Sequence, residues 1–311
     1  MSVQIGLLLL AVSASVPAFL ILRLFVRQDR LIFRPGPLID RPRGAWGPYE
    51  DVHLTAAGGE TVLATWIGKP AQARVVIFFH GSEGNVTHEL PTIRFLRSLE
   101  VRVLAVEYPG YPYPGMEPPS RRPCEQSCYR AADAAWDFIV GECGLPPGQV
   151  ILFGLSLGGA VAAYLATRAG RQCGGLVLQS TFTSVPDLAA RAYPYLPVRP
   201  FCRTRMNTLR RIGHSQCNVL IAHSPDDEHI PFCHARRLYA ACAGSGGARQ
   251  LVELDGSHFG QGWRRSPGLR RAWEEMLGGR VEGWAPGDGG EIDRGDNPIR
   301  PPSAQLPPEG G

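Results

Sequence analysis

Three residues that could carry nucleophilic chemistry follow one another along the chain: Ser156, one of the adjacent pair Asp226 and Asp227, and His258. A serine hydroxyl is a weak nucleophile until a base takes its proton, and an imidazole does this best when a carboxylate holds its other ring nitrogen. Ser156 is the centre of Gly154-Leu155-Ser156-Leu157-Gly158. The pattern G-x-S-x-G alone is weak, but Val150-Ile151-Leu152-Phe153 before it reads as a strand and Gly159-Ala160-Val161-Ala162-Ala163 after it as a helix. A strand–turn–helix elbow holds a serine Oγ proud of a sheet in a tight turn, with Gly154 and Gly158 where side chains would collide with neighbouring backbone. The helix N-terminus behind it favours negative charge. For the acid, spacing to Ile230-Pro231 favours Asp227 over Asp226, and His258 lies past the last predicted strand, in Gly256-Ser257-His258-Phe259.

Acyl transfer also needs two backbone N–H groups aimed at the oxyanion of the tetrahedral intermediate. One is expected from Leu157, the residue after the serine. The other is expected from His80-Gly81-Ser82-Glu83-Gly84-Asn85, directly after an apolar run, with Ser82 supplying the N–H and Gly81 allowing close approach. His80 reads as a structural member of this loop and His229 as a solvent-facing residue. The expected chemistry is attack by Ser156 on an acyl carbonyl with His258 as base and Asp227 behind it, then release of the acyl group by water.

These residues need elements that end where they stand. Apolar, β-branched runs predict strands over 50–55, 61–67, 74–80, 101–107, 149–154, 175–180, 218–223 and 249–254. Runs such as Val75-Val76-Ile77-Phe78-Phe79 are apolar at consecutive positions, which means both faces are covered. Helical spacing predicts helices over 86–98, 125–141, 157–169, 207–212, 232–242 and 267–277. Alternating strands and helices predict an α/β fold, a mostly parallel sheet with helices on both sides. The first two strands, joined through Ala57-Gly58-Gly59, predict an antiparallel hairpin at one edge. Each candidate site residue falls in a loop after a strand, where an open α/β sheet presents its ligand site.

Residues 3–22 carry no charged side chain and form an almost continuous apolar run, about the length of a bilayer-spanning helix. A cleaved signal peptide would want a positive start, which Met1-Ser2-Val3-Gln4 lacks. The reading is an N-terminal membrane anchor over 1–27, a catalytic domain over 28–279 and a Gly/Pro-rich disordered tail over 280–311. Six arginines against two acids between residues 23 and 43 account for the whole net charge of +4. The body therefore has no basic face for nucleic acid, and the arginines after the span predict a cytoplasmic body. Among the eight cysteines there is no C-x-x-C pair and no metal-ligand spacing, so no metal or cofactor is expected; they read as buried or surface thiols, with disulfides open to an oxidising compartment.

At this point the chain resembles the α/β-hydrolase superfamily, and more narrowly the membrane-anchored abhydrolase-domain branch that includes bud-emergence-suppressor-like proteins. The resemblance covers roughly residues 28–260. It rests on Arg30-Leu31-Ile32-Phe33-Arg34-Pro35, the His80–Asn85 loop, Glu107-Tyr108-Pro109-Gly110-Tyr111, the serine elbow, Gln179-Ser180-Thr181-Phe182-Thr183-Ser184, Ala192-Tyr193-Pro194-Tyr195-Leu196-Pro197, and the acid and histidine loops. It implies an eight-stranded sheet and a metal-free esterase, lipase, deacylase or peptidase-like activity on an acyl-containing small molecule, lipid or acylated substrate. Pro112-Tyr113-Pro114 departs from the family pattern and would reshape one wall of the pocket. A peptidase, an amidase or an acyltransferase would use the same residues, and a non-catalytic membrane scaffold is the alternative of another class.

Overall fold

The eight apolar runs read as strands are eight strands of one sheet. The computed structural model describes residues 2–278 except 42, 70–73, 116–121, 169–171 and 245–246; the side chains of 2, 3, 5–14, 43 and 244 also lie outside the described set, as does the tail from 279. The chain opens with helix α1 (Ser2–Ile32), a two-residue strand β1 (Arg34–Pro35) and a short turn of helix α2 (Arg43–Trp46). The hairpin β2 (Tyr49–Thr55) and β3 (Thr61–Ile67) follows, then β4 (Val75–Phe79), the two-residue β5 (Glu83–Gly84), α3 (Leu90–Arg97) and β6 (Arg102–Val106). Next come α4 (Glu125–Trp136), β7 (Val150–Leu155), α5 (Leu157–Ala166), β8 (Gly175–Gln179), α6 (Val185–Ala192) and α7 (Thr208–Ile212). The described chain closes with β9 (Val219–His223), α8 (Cys233–Ala241), β10 (Arg249–Glu253) and α9 (Pro267–Met276).

The large sheet runs β10-β9-β8-β7-β4-β6-β3-β2. Pairings from β10 across to β6 are parallel, while β3 is antiparallel to both β2 and β6, which is the predicted edge hairpin. Consecutive apolar residues are explained by cover on both faces. Val75, Ile77 and Phe79 of β4 join the core on one side, and Val76 and Phe78 join the core on the other. With a side-chain period of two, β4 feeds both cores, and an unpaired polar group at either register would be costly. β4 sits between β7 and β6, so the chain reverses its winding there. The crevice above the strand ends at such a reversal is where this class of sheet binds ligands.

Three departures from the sequence reading have physical causes. Helix α6 lies in a stretch where the residue spacing predicts neither helix nor strand. It forms because the Ser184 side chain accepts from the Asp187 N–H and Pro186 stands in the first turn, where a missing N–H costs nothing. The residues after α1, where no strand is predicted, make β1, which pairs in parallel with β5. Pro112-Tyr113-Pro114 does not line the pocket at Ser156: the Tyr113 hydroxyl turns to Asp51 at 2.7 Å and to the Ala64 carbonyl at 2.9 Å.

The predicted membrane span, 3–22, falls within α1, whose backbone is helical from Ser2 to Ile32. Among the described residues no helix is long and apolar enough to cross a membrane, and most side chains of the predicted span lie outside them. No disulfide joins the cysteines among the described residues, and the sulfurs of Cys173 and Cys217 are buried 3.1 Å apart.

Candidate active site

Ser156 sits at the junction of β7 and α5 with φ of +52° and ψ of −116°. This is a left-handed conformation that a side chain adopts only when its surroundings enforce it. They do so from several sides. The Ser156 N–H donates to the Gln179 carbonyl at 2.9 Å, and its carbonyl accepts from the Thr181 hydroxyl at 2.6 Å. A methyl on Gly154 would overlap the Gly158 carbonyl, and one on Gly158 the Phe79 carbonyl. The glycines thus let the elbow fold against β4.

The residues expected to work with Ser156 arrive on loops after β9 and β10. The Ser156 hydroxyl faces His258 Nε2 at 3.3 Å, and His258 Nδ1 donates to Asp227 Oδ2 at 2.7 Å. Asp227 is buried and Asp226 exposed, so the structure brings Asp227, and not its neighbour, to the imidazole. The other Asp227 oxygen accepts from the N–H groups of His229 at 3.0 Å and Ile230 at 2.7 Å. Burial works to raise the pKa of this carboxyl, but bonds from His223 and His258, the charge of His258 and the Ile230 amide outweigh it and hold it well below the usual carboxylate range. Asp227 is therefore an anion fixed at both oxygens, able to select the His258 tautomer whose Nε2 accepts a proton.

His223 is a partner that sequence reasoning missed. It ends β9, is fully buried, and its Nε2 lies 2.6 Å from the Ile230 carbonyl and 3.2 Å from Asp227 Oδ2. One N–H directed between the two ties the acid loop to the strand end. The available signal was a polar residue closing an apolar run, Val219-Leu220-Ile221-Ala222-His223.

The loop after β4 carries the second expected oxyanion donor. A methyl added at Gly81 would stand 3.6 Å from the Ser156 Cβ, so this backbone passes directly over the serine. His80 lies beneath, fully buried, with Nε2 2.7 Å from Glu107 Oε1 and Nδ1 2.8 Å from the Gly81 carbonyl. That carbonyl belongs to the same planar trans peptide as the Ser82 N–H, so holding one aims the other. The Ser82 carbonyl in turn accepts from the Tyr111 hydroxyl at 2.8 Å and the Arg34 N–H at 2.9 Å. Glu107 also accepts from the Val86 N–H at 2.9 Å. The stretch Glu107-Tyr108-Pro109-Gly110-Tyr111 is thus the floor that sets the loop. Leu157 is the first residue of α5, so its N–H is one of the helix's unpaired donors. Ser82, Leu157, Ser156 and His258 all line one cavity of about 620 Å³.

Complete burial disfavours a charged His80, but the Glu107 carboxylate and the Gly81 carbonyl outweigh it and raise the His80 pKa. The stabilisation from such a pair is fully present below the ordinary imidazole value of about 6.5 and is lost as pH rises through the raised one. Glu107→Gln removes the compensating charge and is expected to cost about 3–5 kcal/mol below that value. Thermal or denaturant unfolding of both proteins across a pH series checks this, and the difference between them should shrink at alkaline pH.

Comparison with known proteins places this geometry in a context. A model described as the alpha/beta hydrolase family matches residues 76–285. The chain is 28% identical over 228 residues to the alpha/beta hydrolase domain-containing protein WAV2 of Arabidopsis thaliana, covering 68% of this chain and 72% of that one. It is 29% identical over 245 residues to an uncharacterised protein of Mycobacterium tuberculosis, covering 75% of this chain and 82% of that protein. Among solved structures, the Pyrococcus furiosus esterase Pf2001 superposes with a TM-score of 0.61 at 17% identity, over 79% of this chain and 95% of the esterase. A puromycin-hydrolysing peptidase of M. tuberculosis superposes with a TM-score of 0.58 at 20% identity, over 79% of this chain and 42% of the peptidase.

Proposed function

Because the chain belongs to the alpha/beta hydrolase family, we propose that it is a serine hydrolase that cleaves acyl esters through an acyl-enzyme on Ser156. The observation that carries this reading is the continuous chain from Asp227 through His258 to Ser156, at 2.7 and 3.3 Å, ending in the cavity that Ser82 and Leu157 also line. Ser156 Oγ attacks the acyl carbonyl while His258 Nε2 takes its proton. The ring, held at Nδ1 by Asp227, becomes an imidazolium beside a carboxylate that stabilises it. The N–H groups of Ser82 and Leu157 bind the oxyanion. As the tetrahedral intermediate collapses, His258 returns the proton to the leaving alcohol, and water repeats the sequence to free the acid.

An apolar acyl group is supported by the cavity lining, which includes Ile21, Leu24, Phe182, Val185, Leu188 and Phe259. Such walls suit an apolar acyl group. We further propose that residues 3–22 anchor the protein in a membrane, with the body on the cytoplasmic side. That reading is supported by the charge-free run and by the arginines that follow it. A matched panel of esters and amides of one acyl group tests the substrate class: esters are expected to turn over far faster, and a preference for amides would make the protein a peptidase or amidase.

A further inference from the structure

Taking the serine-hydrolase reading as its basis, we infer that the C-terminal half of α1 is one wall of the acyl-chain site, and that the substrate is the ester of a long-chain fatty acyl group lying along that helix. Ile21, Leu24, Phe25, Gln28, Leu31 and Ile32 all line the cavity that reaches Ser156. Their spacing of three and four residues puts them on one stripe of the helix. The opposite stripe, with Leu22 and Val26, turns outward. The facing wall is α6, through Val185, Leu188 and Ala192.

At Phe25 and Leu31 this stripe points at the body without closing on it. Phe25 remains 37% exposed and Leu31 51%, although both line the cavity. Two apolar walls thus stand apart, and a slot of that kind is stabilised by an apolar occupant that displaces water. The slot ends at the reaction centre, so the occupant is the chain of the ester being cleaved. A flexible hydrocarbon fits between two apolar walls.

The helix end is fastened to the catalytic body. The Gln28 side-chain oxygen accepts from the N–H groups of Arg203 at 2.7 Å and Thr204 at 3.3 Å, and Asp29 pairs with Arg203 at 3.0 Å. Two residues past the helix, the Arg34 N–H donates to the carbonyl of Ser82, where β1 pairs with β5. The wall and the proposed oxyanion loop therefore share one hydrogen-bonded strand, which fixes the distance from acyl groove to Ser156.

The test uses full-length protein in detergent and the p-nitrophenyl esters of acetic, octanoic and palmitic acids. Wild type is expected to show kcat/KM rising with chain length. Leu24→Trp, which fills the groove, and Phe25→Ala, which thins its wall, are each expected to lower the palmitoyl-to-acetyl ratio at least about tenfold. Val26→Trp, on the outward stripe, should leave that ratio unchanged, and melting curves show that all variants are folded. An unchanged ratio in folded Leu24→Trp and Phe25→Ala overturns the inference, as does an equal shift in Val26→Trp. A wild type that neither hydrolyses any of these esters nor reacts with a fluorophosphonate overturns the serine-hydrolase reading, and the inference with it.

Discussion

Ser156→Ala is expected to lower kcat by about 10⁵–10⁶-fold on any ester the protein accepts, while leaving its melting temperature nearly unchanged. The size follows from what is removed: without Oγ there is no acyl-enzyme, and only oxyanion binding and proximity remain to help water attack. Stability should be spared because the side chain's hydrogen bond is the 3.3 Å contact to His258, whereas the strained backbone is held by contacts of the Ser156 N–H and carbonyl. Alanine keeps the Cβ and meets the same +52° φ. Steady-state kinetics and a melt of one preparation check both halves.

Asp227→Asn is expected to cost about 10⁴-fold in kcat with the fold retained, the scale set by the wrong histidine tautomer in triads of this kind. The surroundings dictate which way the amide turns. Two backbone N–H groups, from His229 and Ile230, need an acceptor at the Oδ1 position, so the amide oxygen goes there. The NH₂ group then faces His258 Nδ1 and His223 Nε2. Nδ1 must accept, the proton moves to Nε2, and the ring can no longer take a proton from Ser156. His223, already bonded to the Ile230 carbonyl at 2.6 Å, keeps that partner and the loop stays in place. A loss of less than tenfold would show that Asp227 does not set the tautomer.

Much of this arrangement was legible in the sequence because the signals were local. Unbroken apolar runs located the central strands of the large sheet, such as β4 and β9, because both of their faces are covered. The elbow was legible because its two glycines answer a collision that any side chain there would meet. What was missed lies in contacts between distant residues. The bond from His80 to Glu107 spans 27 positions, and neither residue predicts the other. His223 looked like the end of a strand because its partner is a carboxylate on the following loop. Strands β1 and β5 have two residues each, too few to show any period. α6 was hidden by the prolines around it. The apolar character of α1 was visible, but a helix that serves a membrane and one that walls a pocket present the same side chains, and only the fold distinguishes which stripe faces Ser156.

The most direct test of the central claim is to treat full-length, detergent-solubilised protein with a fluorophosphonate and map the adduct by peptide mass spectrometry. The account predicts a single phosphonyl group on the peptide containing Ser156, absent in Ser156→Ala and strongly slowed in Asp227→Asn. Folded wild-type protein that stays unlabelled, or that carries the adduct on another residue, would contradict it.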